Sequence, residues 1–167
     1  MVLKEAINIF NRIRNLPFHI SIEGEVGCDC EDKSKMLVDN FKSVNLDARL
    51  RVGIFKWSTL NLPETISNIP HEDECSHFFV EFKNQKGEWV SIDPTWNPEL
   101  KKAGFPIAIW DGEKSTELAV TCNHFFSPQE SEEYPKHINY SEDLRVNGKF
   151  YAAFNIYCDS FLLKGAK

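Results

Sequence analysis

Apolar residues recur every three or four positions at the start of the chain. Leu3, Ile7, Phe10 and Ile13 form one stripe, which predicts an amphipathic helix over residues 3–14 that "NLPF" ends. Leu37, Phe41 and Val44 repeat the pattern and predict a helix over residues 30–44, closed by "NLD". "ARLRVGIFKW" follows, and its β-branched and aromatic content predicts a strand. Between Ser58 and Cys75 the period disappears among prolines and turn formers, so this is a long surface connection. "SHFFVEF" and "EWVSID" then alternate around the glycine turn "KNQKG", which predicts a β-hairpin. "FPIAIWDGEKSTELAV" reads as two strands around an Asp-Gly turn. Ser127, Pro128 and Glu130 mark a helix start that Pro135 terminates. Tyr151, Phe154, Tyr157, Cys158, Phe161 and Leu162 predict a closing helix from about Gly148 to Leu163.

Composition narrows the class. At 167 residues the chain has the length of one domain, 1–167, and can bury a core without covalent staples. No apolar stretch is long enough to cross a bilayer, and charges interrupt the amino-terminal stripe, so neither a membrane partner nor a secretory signal is expected. Five cysteines, an odd number in a domain of this size, point to reduced thiols and a cytoplasmic location. A formal net charge of −6 argues against general nucleic-acid binding, which needs clustered Lys and Arg.

The chemistry concentrates around "GCDCEDKSK", residues 27–35. If Asp29 caps the second helix, Cys30 is its first helical residue and Cys28 lies outside. At 100° per residue Cys30 projects within roughly 40° of Leu37, Phe41 and Val44, so its sulfur points inward. The helix end favours the thiolate, whereas Asp29, Glu31 and Asp32 disfavour it by like charge; a histidine partner therefore matters more. The hairpin offers one. Matching its apolar faces pairs 78 with 92 and 80 with 90, setting His77 opposite Asp93; a slip by two leaves the two side chains diagonal neighbours within reach. Cys30, His77 and Asp93 are thus candidates for nucleophile, base and orienting carboxylate.

Those residues carry a family resemblance. "GCDCEDKSKMLVDNFKSVNLDARLRVGIFKW", "SHFFVEF" and "GEWVSIDPTWNP" together resemble the transglutaminase-like superfamily over roughly residues 24–98, and "GFPIAIWDGEKSTELAV" is similar to the continuation in its prokaryotic members. The resemblance implies an α+β fold with a papain-like core: a nucleophile helix packed on an antiparallel sheet, with flanking amino- and carboxy-terminal helices. It also implies thioester chemistry on the amide of a peptide or protein substrate, without a cofactor. Cys30 precedes the acid-Asp-Lys run Glu31, Asp32 and Lys33; His77 matches the strand histidine and Asp93 the aspartate before Pro94. The chain departs from the pattern upstream of Cys30, where such enzymes place a Gln, Trp or Tyr as oxyanion donor. Here the backbone of Cys30 has only His19 and Ser21 as candidate companions. Trp57, Trp89, Trp96 and Trp110 are candidate cleft-lining residues.

Two other classes fit parts of the pattern. Cys28, Cys30, Cys75, His77, Cys122 and His124 form three Cys-x-Cys or Cys-x-His sets that suit zinc, although structural zinc knuckles usually space their cysteines more widely. A catalytically degenerate peptide-binding module of the same fold would use the tryptophans alone.

Overall fold

The first stripe forms helix α1, Val2–Arg14, in a computed structural model that describes residues 2–163 of the chain. Its buried face is centred on Ala6, Ile9, Phe10 and Ile13. Leu3 and Ile7 lie at the edge of that face, partly exposed. Gly112, at φ +88°, comes so close to Leu3 that a Cβ there would collide with the leucine side chain.

Helix α2 runs Cys30–Ser43, and Asp29 is its cap. The Asp29 Oδ1 accepts from the amides of Glu31 at 2.9 Å and Asp32 at 3.2 Å, while the Asp32 carboxylate reaches back to the Asp29 amide at 3.3 Å. This reciprocal box holds the first turn. The helix stops at Val44, and Asn45 takes the left-handed conformation, φ +59°, that asparagine tolerates after a helix.

Four strands follow: β1 Ala48–Lys56, β2 Glu74–Lys83, β3 Trp89–Ile92 and the two-residue β4, His124–Phe125. They form one antiparallel sheet in the order β3-β2-β1-β4. The hairpin takes the slipped register, with Val80 opposite Ile92 and Phe82 opposite Val90. Both arrangements keep the apolar faces together, but β3 ends at Ile92 because Pro94 cannot donate to a ladder.

The stretch 58–75 holds a short helix, α3, Glu64–Ser67, with Ile66 buried. The His71 ring stacks on Phe150 at 3.8 Å, so the connection is fastened to the closing helix instead of standing free. Residues 105–120 correct a prediction: they form no strands. The segment lies along the edge of β3 and bonds to it mainly through side chains, with Ser115 Oγ accepting from the Ser91 amide and Thr116 Oγ1 from the Asp93 amide, both at 3.0 Å. One backbone bond, Thr116 N–H to Ser91 O, joins them.

The Ser127 cap opens α4, Pro128–Glu133, which continues as a 3-10 turn over Tyr134–His137 before the chain turns again. The closing helix, α5, is Tyr140–Leu163 and begins eight residues before the predicted start at Gly148. Its first two turns, "YSEDLRVN", show no stripe, because their one buried side chain is the polar Asn147, while Leu144, Val146 and Asp143 are half-buried.

Two apolar clusters hold the elements together. One joins α1 and α2 to the sheet through Phe10, Leu37, Phe41, Val80, Phe82 and Trp110. The other gathers Trp57, Trp96, Leu100, Phe105, Phe150 and Phe154 around α5. Each buried aromatic stabilises the fold by roughly 1.5–3 kcal/mol. Among the described residues no helix is long and apolar enough to cross a membrane.

Candidate active site

A cleft of about 850 Å³ opens over the second cluster. The start of α2 forms one wall with Asp29, Cys30 and Glu31; Phe55, Trp57 and the leading residues of β2 line its floor; Tyr134, Ile138, Tyr140 and Leu144 form the far wall. Tyr140 Oη bridges the walls by donating to Glu31 Oε1 at 2.6 Å.

His77 reaches this cleft from β2 and is 2% exposed. Its Nε2 bonds Asp93 Oδ2 at 2.7 Å. Asp93 follows β3 and is held from three sides: its Oδ2 also accepts from the Ala119 amide at 2.7 Å, and its Oδ1 from the Thr95 amide at 3.0 Å. Burial alone would raise the Asp93 carboxyl, but the charge of His77 and these bonds outweigh it and leave it below the ordinary carboxylate range. The carboxylate therefore accepts from Nε2, and Nδ1 remains as the ring nitrogen for the cleft.

Cys30, not Cys28, shares that cleft. Cys28 is tied into a short antiparallel bridge with His19, their amides and carbonyls exchanging bonds of 2.7 and 3.2 Å. The Phe78 backbone amide, one residue beyond His77, acts on the Cys30 sulfur and favours its thiolate. No hydrogen bond joins Cys30 to the His77 ring among the described residues; such contacts commonly tighten only when substrate binds. Burial, and next the Asp29 carboxylate, push the Cys30 thiol well above its ordinary value, with the Phe78 amide opposing them. The resting sulfur is a thiol, so the arrangement suits proton removal by a neighbouring base during attack instead of a standing thiolate.

Asp29 is itself displaced. Burial and the adjacent Asp32 carboxylate raise it to about 7, against the bonds from the Asp32 and Glu31 amides. A raised carboxyl binds protons in the folded state that the unfolded chain has released, so stability falls as pH rises from about 4 to about 7. Both capping bonds go to one oxygen, Oδ1, and asparagine can replace them. Asp29→Asn is therefore expected to alkylate at Cys30 about tenfold faster at pH 7.5, with a melting temperature at pH 8 no lower than wild type. Iodoacetamide kinetics with mass-spectrometric site assignment, beside a thermal melt, check both.

The other sequence candidates divide. Ser21 lines the cleft, but its hydroxyl donates to the Glu25 carbonyl at 2.9 Å. His19 lies outside, its Nε2 on Glu25 Oε2 at 2.7 Å. The Cys30 amide, in the first turn of α2, has no partner within the helix and is free for an oxyanion. Trp57 and Trp96 line the cleft, with the Trp96 indole fixed to Ala119 O at 2.9 Å. Trp110 and Trp89 do not: Trp110 is packed in the first cluster against Phe41 and Phe82, and Trp89 stands at the sheet edge beneath the Arg49 guanidinium. Among the described residues no group of three or more His, Cys, Asp or Glu side chains is arranged to hold a metal, and the zinc set does not converge.

Compared with known protein families, with curated proteins and with solved structures, the chain matches none.

One residue at the site had no role in the sequence reading. Lys33 is fully buried, and its ammonium donates to the carbonyls of Arg14 at 3.1 Å, Leu16 at 2.5 Å and Thr95 at 2.9 Å. It binds the first turn of α2 to the end of α1 and to the loop that carries Asp93. The signal was present: three residues after Cys30, Lys33 falls on the inward stripe, a charge among Leu37 and Phe41.

Proposed function

We propose that this chain is a transglutaminase-like cysteine enzyme that opens amide bonds of peptide or isopeptide substrates through a thioester. The observation that carries the reading is the buried His77 Nε2 to Asp93 Oδ2 bond of 2.7 Å, set in the same cleft as a cysteine at a helix start. His77 takes the Cys30 proton on Nδ1 as the sulfur attacks the substrate carbonyl, and Asp93 stabilises the imidazolium that forms. The Cys30 amide donates to the developing oxyanion. Collapse expels the amine, which leaves with the proton from His77, and a thioester remains on Cys30. Water, deprotonated by His77, then hydrolyses it; an amine in its place would make the reaction a transfer. Five free thiols suit a cytoplasmic setting, and no step needs a cofactor.

A binding module of the same fold is the second reading, favoured by the raised Cys30 thiol and by the engagement of His19 and Ser21 elsewhere. Acylation by a p-nitrophenyl ester, followed as nitrophenolate release with the acyl site mapped by mass spectrometry, separates the two. The catalytic reading expects acylation at Cys30, retained in Cys28→Ala, lost in Cys30→Ala and slowed about 10²-fold in His77→Ala. Acylation that survives Cys30→Ala, or that ignores His77→Ala, leaves the binding module standing.

A further inference from the structure

The cleft concentrates negative charge. Seven carboxylates line it against one lysine: Asp29, Glu31 and Asp32 from the start of α2, Glu72 and Glu74 from the lead into β2, Glu142 and Asp143 from α5, and Lys35. Among the described residues these side chains sum to a formal −6, the same size as the formal net charge of −6 of the whole chain. An acidic protein with evenly spread charge would not show this. The local charge opposes the thiol chemistry, since Asp29 hinders ionisation of Cys30, and so it does not serve to prepare the nucleophile.

The carboxylates differ in what already occupies them. Asp29 and Asp32 cap the helix; Glu31 accepts from Lys35 and Tyr140; Glu142 pairs with Arg145; Asp143 accepts from Tyr151 at 2.9 Å and Asn147 at 2.8 Å. Glu72 and Glu74 are exposed and form no ion pair among the described residues. Glu74 lies three residues before His77 on β2, roughly 10 Å along a strand. Two residues of extended peptide cover about 7 Å of that distance, and a lysine or arginine stem covers the rest.

We infer that the cleft selects basic peptides, holding a lysine or arginine side chain one or two residues from the reacting amide on Glu72 and Glu74. This deepens the reading of Cys30 and His77 as nucleophile and base, and rests on it for the reaction but not for the charge. Carboxylates on three sides of a concave surface focus their field into it and raise the local concentration of cations. A guanidinium or ammonium arriving there meets two unpaired acceptors, whereas an acidic peptide meets only repulsion.

The test uses three short peptides that end in the same cysteine-reactive electrophile and differ one residue before it: lysine, its uncharged isostere norleucine, or glutamate. Rates of Cys30 labelling are expected in the order lysine, norleucine, glutamate, with lysine at least tenfold over glutamate at low salt and the spread narrowing at 0.5 M salt, roughly the regime where screening falls to a few ångströms. Glu72→Gln with Glu74→Gln should cut the lysine-to-norleucine rate ratio severalfold. Equal rates for the three peptides, a glutamate preference, or a lysine preference untouched by the double substitution would each overturn the inference. Failure of the catalytic reading appears elsewhere, as iodoacetamide labelling of Cys30 that does not respond to His77→Ala, and leaves the charge order to be judged by itself.

Discussion

Asp93→Asn is expected to slow acylation of Cys30 by on the order of 10²–10⁴-fold while the protein still folds. The reason lies in what surrounds the carboxylate. Both of its oxygens accept from fixed donors: Oδ2 from His77 Nε2 and the Ala119 amide, Oδ1 from the Thr95 amide. An amide has one acceptor, so one side must now face donors with an NH₂ group. If the NH₂ turns to His77, it needs a bare Nε2, and the ring proton moves to Nδ1, where the base is required. If it turns to Thr95, the tautomer survives, but the imidazolium formed during attack has lost its counter-charge. Either orientation leaves a buried amide unsatisfied, at a cost of about 1–3 kcal/mol in stability. The ester burst measured beside near-ultraviolet circular dichroism checks this; a folded variant within threefold of wild type would remove Asp93 from the mechanism. A pH effect follows from the same group. Because the folded Asp93 lies below its ordinary value, its contribution to stability is complete above about pH 4 and is lost as pH falls through the folded value. The wild type should lose stability over that acid range more steeply than the asparagine variant.

The parts of this arrangement that could be read before any coordinates are those carried by local periodicity. The stripe of α2 and the Asp29 cap placed the Cys30 sulfur on the inward face, and alternation in the hairpin brought His77 near Asp93. The register remained ambiguous by two because apolar matching is blind to a shift of that size. Where alternation came without a ladder it misled. Residues 105–120 alternate because one side rests on the core, Ala108 and Trp110 among them, yet they meet the β3 edge mostly with their own side chains, which accept from its backbone amides. The polar start of α5 carried no stripe, so the wall of the cleft that it builds, with Tyr140 reaching Glu31, could not be anticipated. The tryptophans show the same boundary: Trp96 and Trp110 are alike in sequence as buried aromatics near a proposed site, and only packing sends one to the cleft and the other to the opposite cluster.

Lys33→Met is expected to cost about 3–5 kcal/mol of folding stability, a large part of the 5–15 kcal/mol typical of a domain. Methionine fits the volume and suits a helix, so the loss comes from polar groups. Each ammonium proton of Lys33 is used on a different carbonyl, from Arg14, Leu16 and Thr95, and none of the three accepts a backbone bond from the others. Burial lowers the lysine to about 8, which still leaves it charged at pH 7 and able to donate three times. Without it, three carbonyls lose their donor at once, that of Thr95 buried and those of Arg14 and Leu16 part-buried, at about 1–3 kcal/mol each before water or relaxation offsets part of it. Shedding the desolvated charge returns a share of that cost, which sets the estimate below the full sum. Urea denaturation gives the measure, and a loss under about 1 kcal/mol would mean that the site is wet or that the carbonyls find other donors. The lysine also has a positional effect. Thr95 is two residues from Asp93, and Lys33 is three from Cys30, so this one ammonium couples the nucleophile helix to the loop that orients the base. In the methionine variant, at temperatures where it remains folded, Cys30 acylation should fall along with stability, whereas a variant that only loosens the core, such as Phe10→Leu, should lose stability and keep its acylation rate.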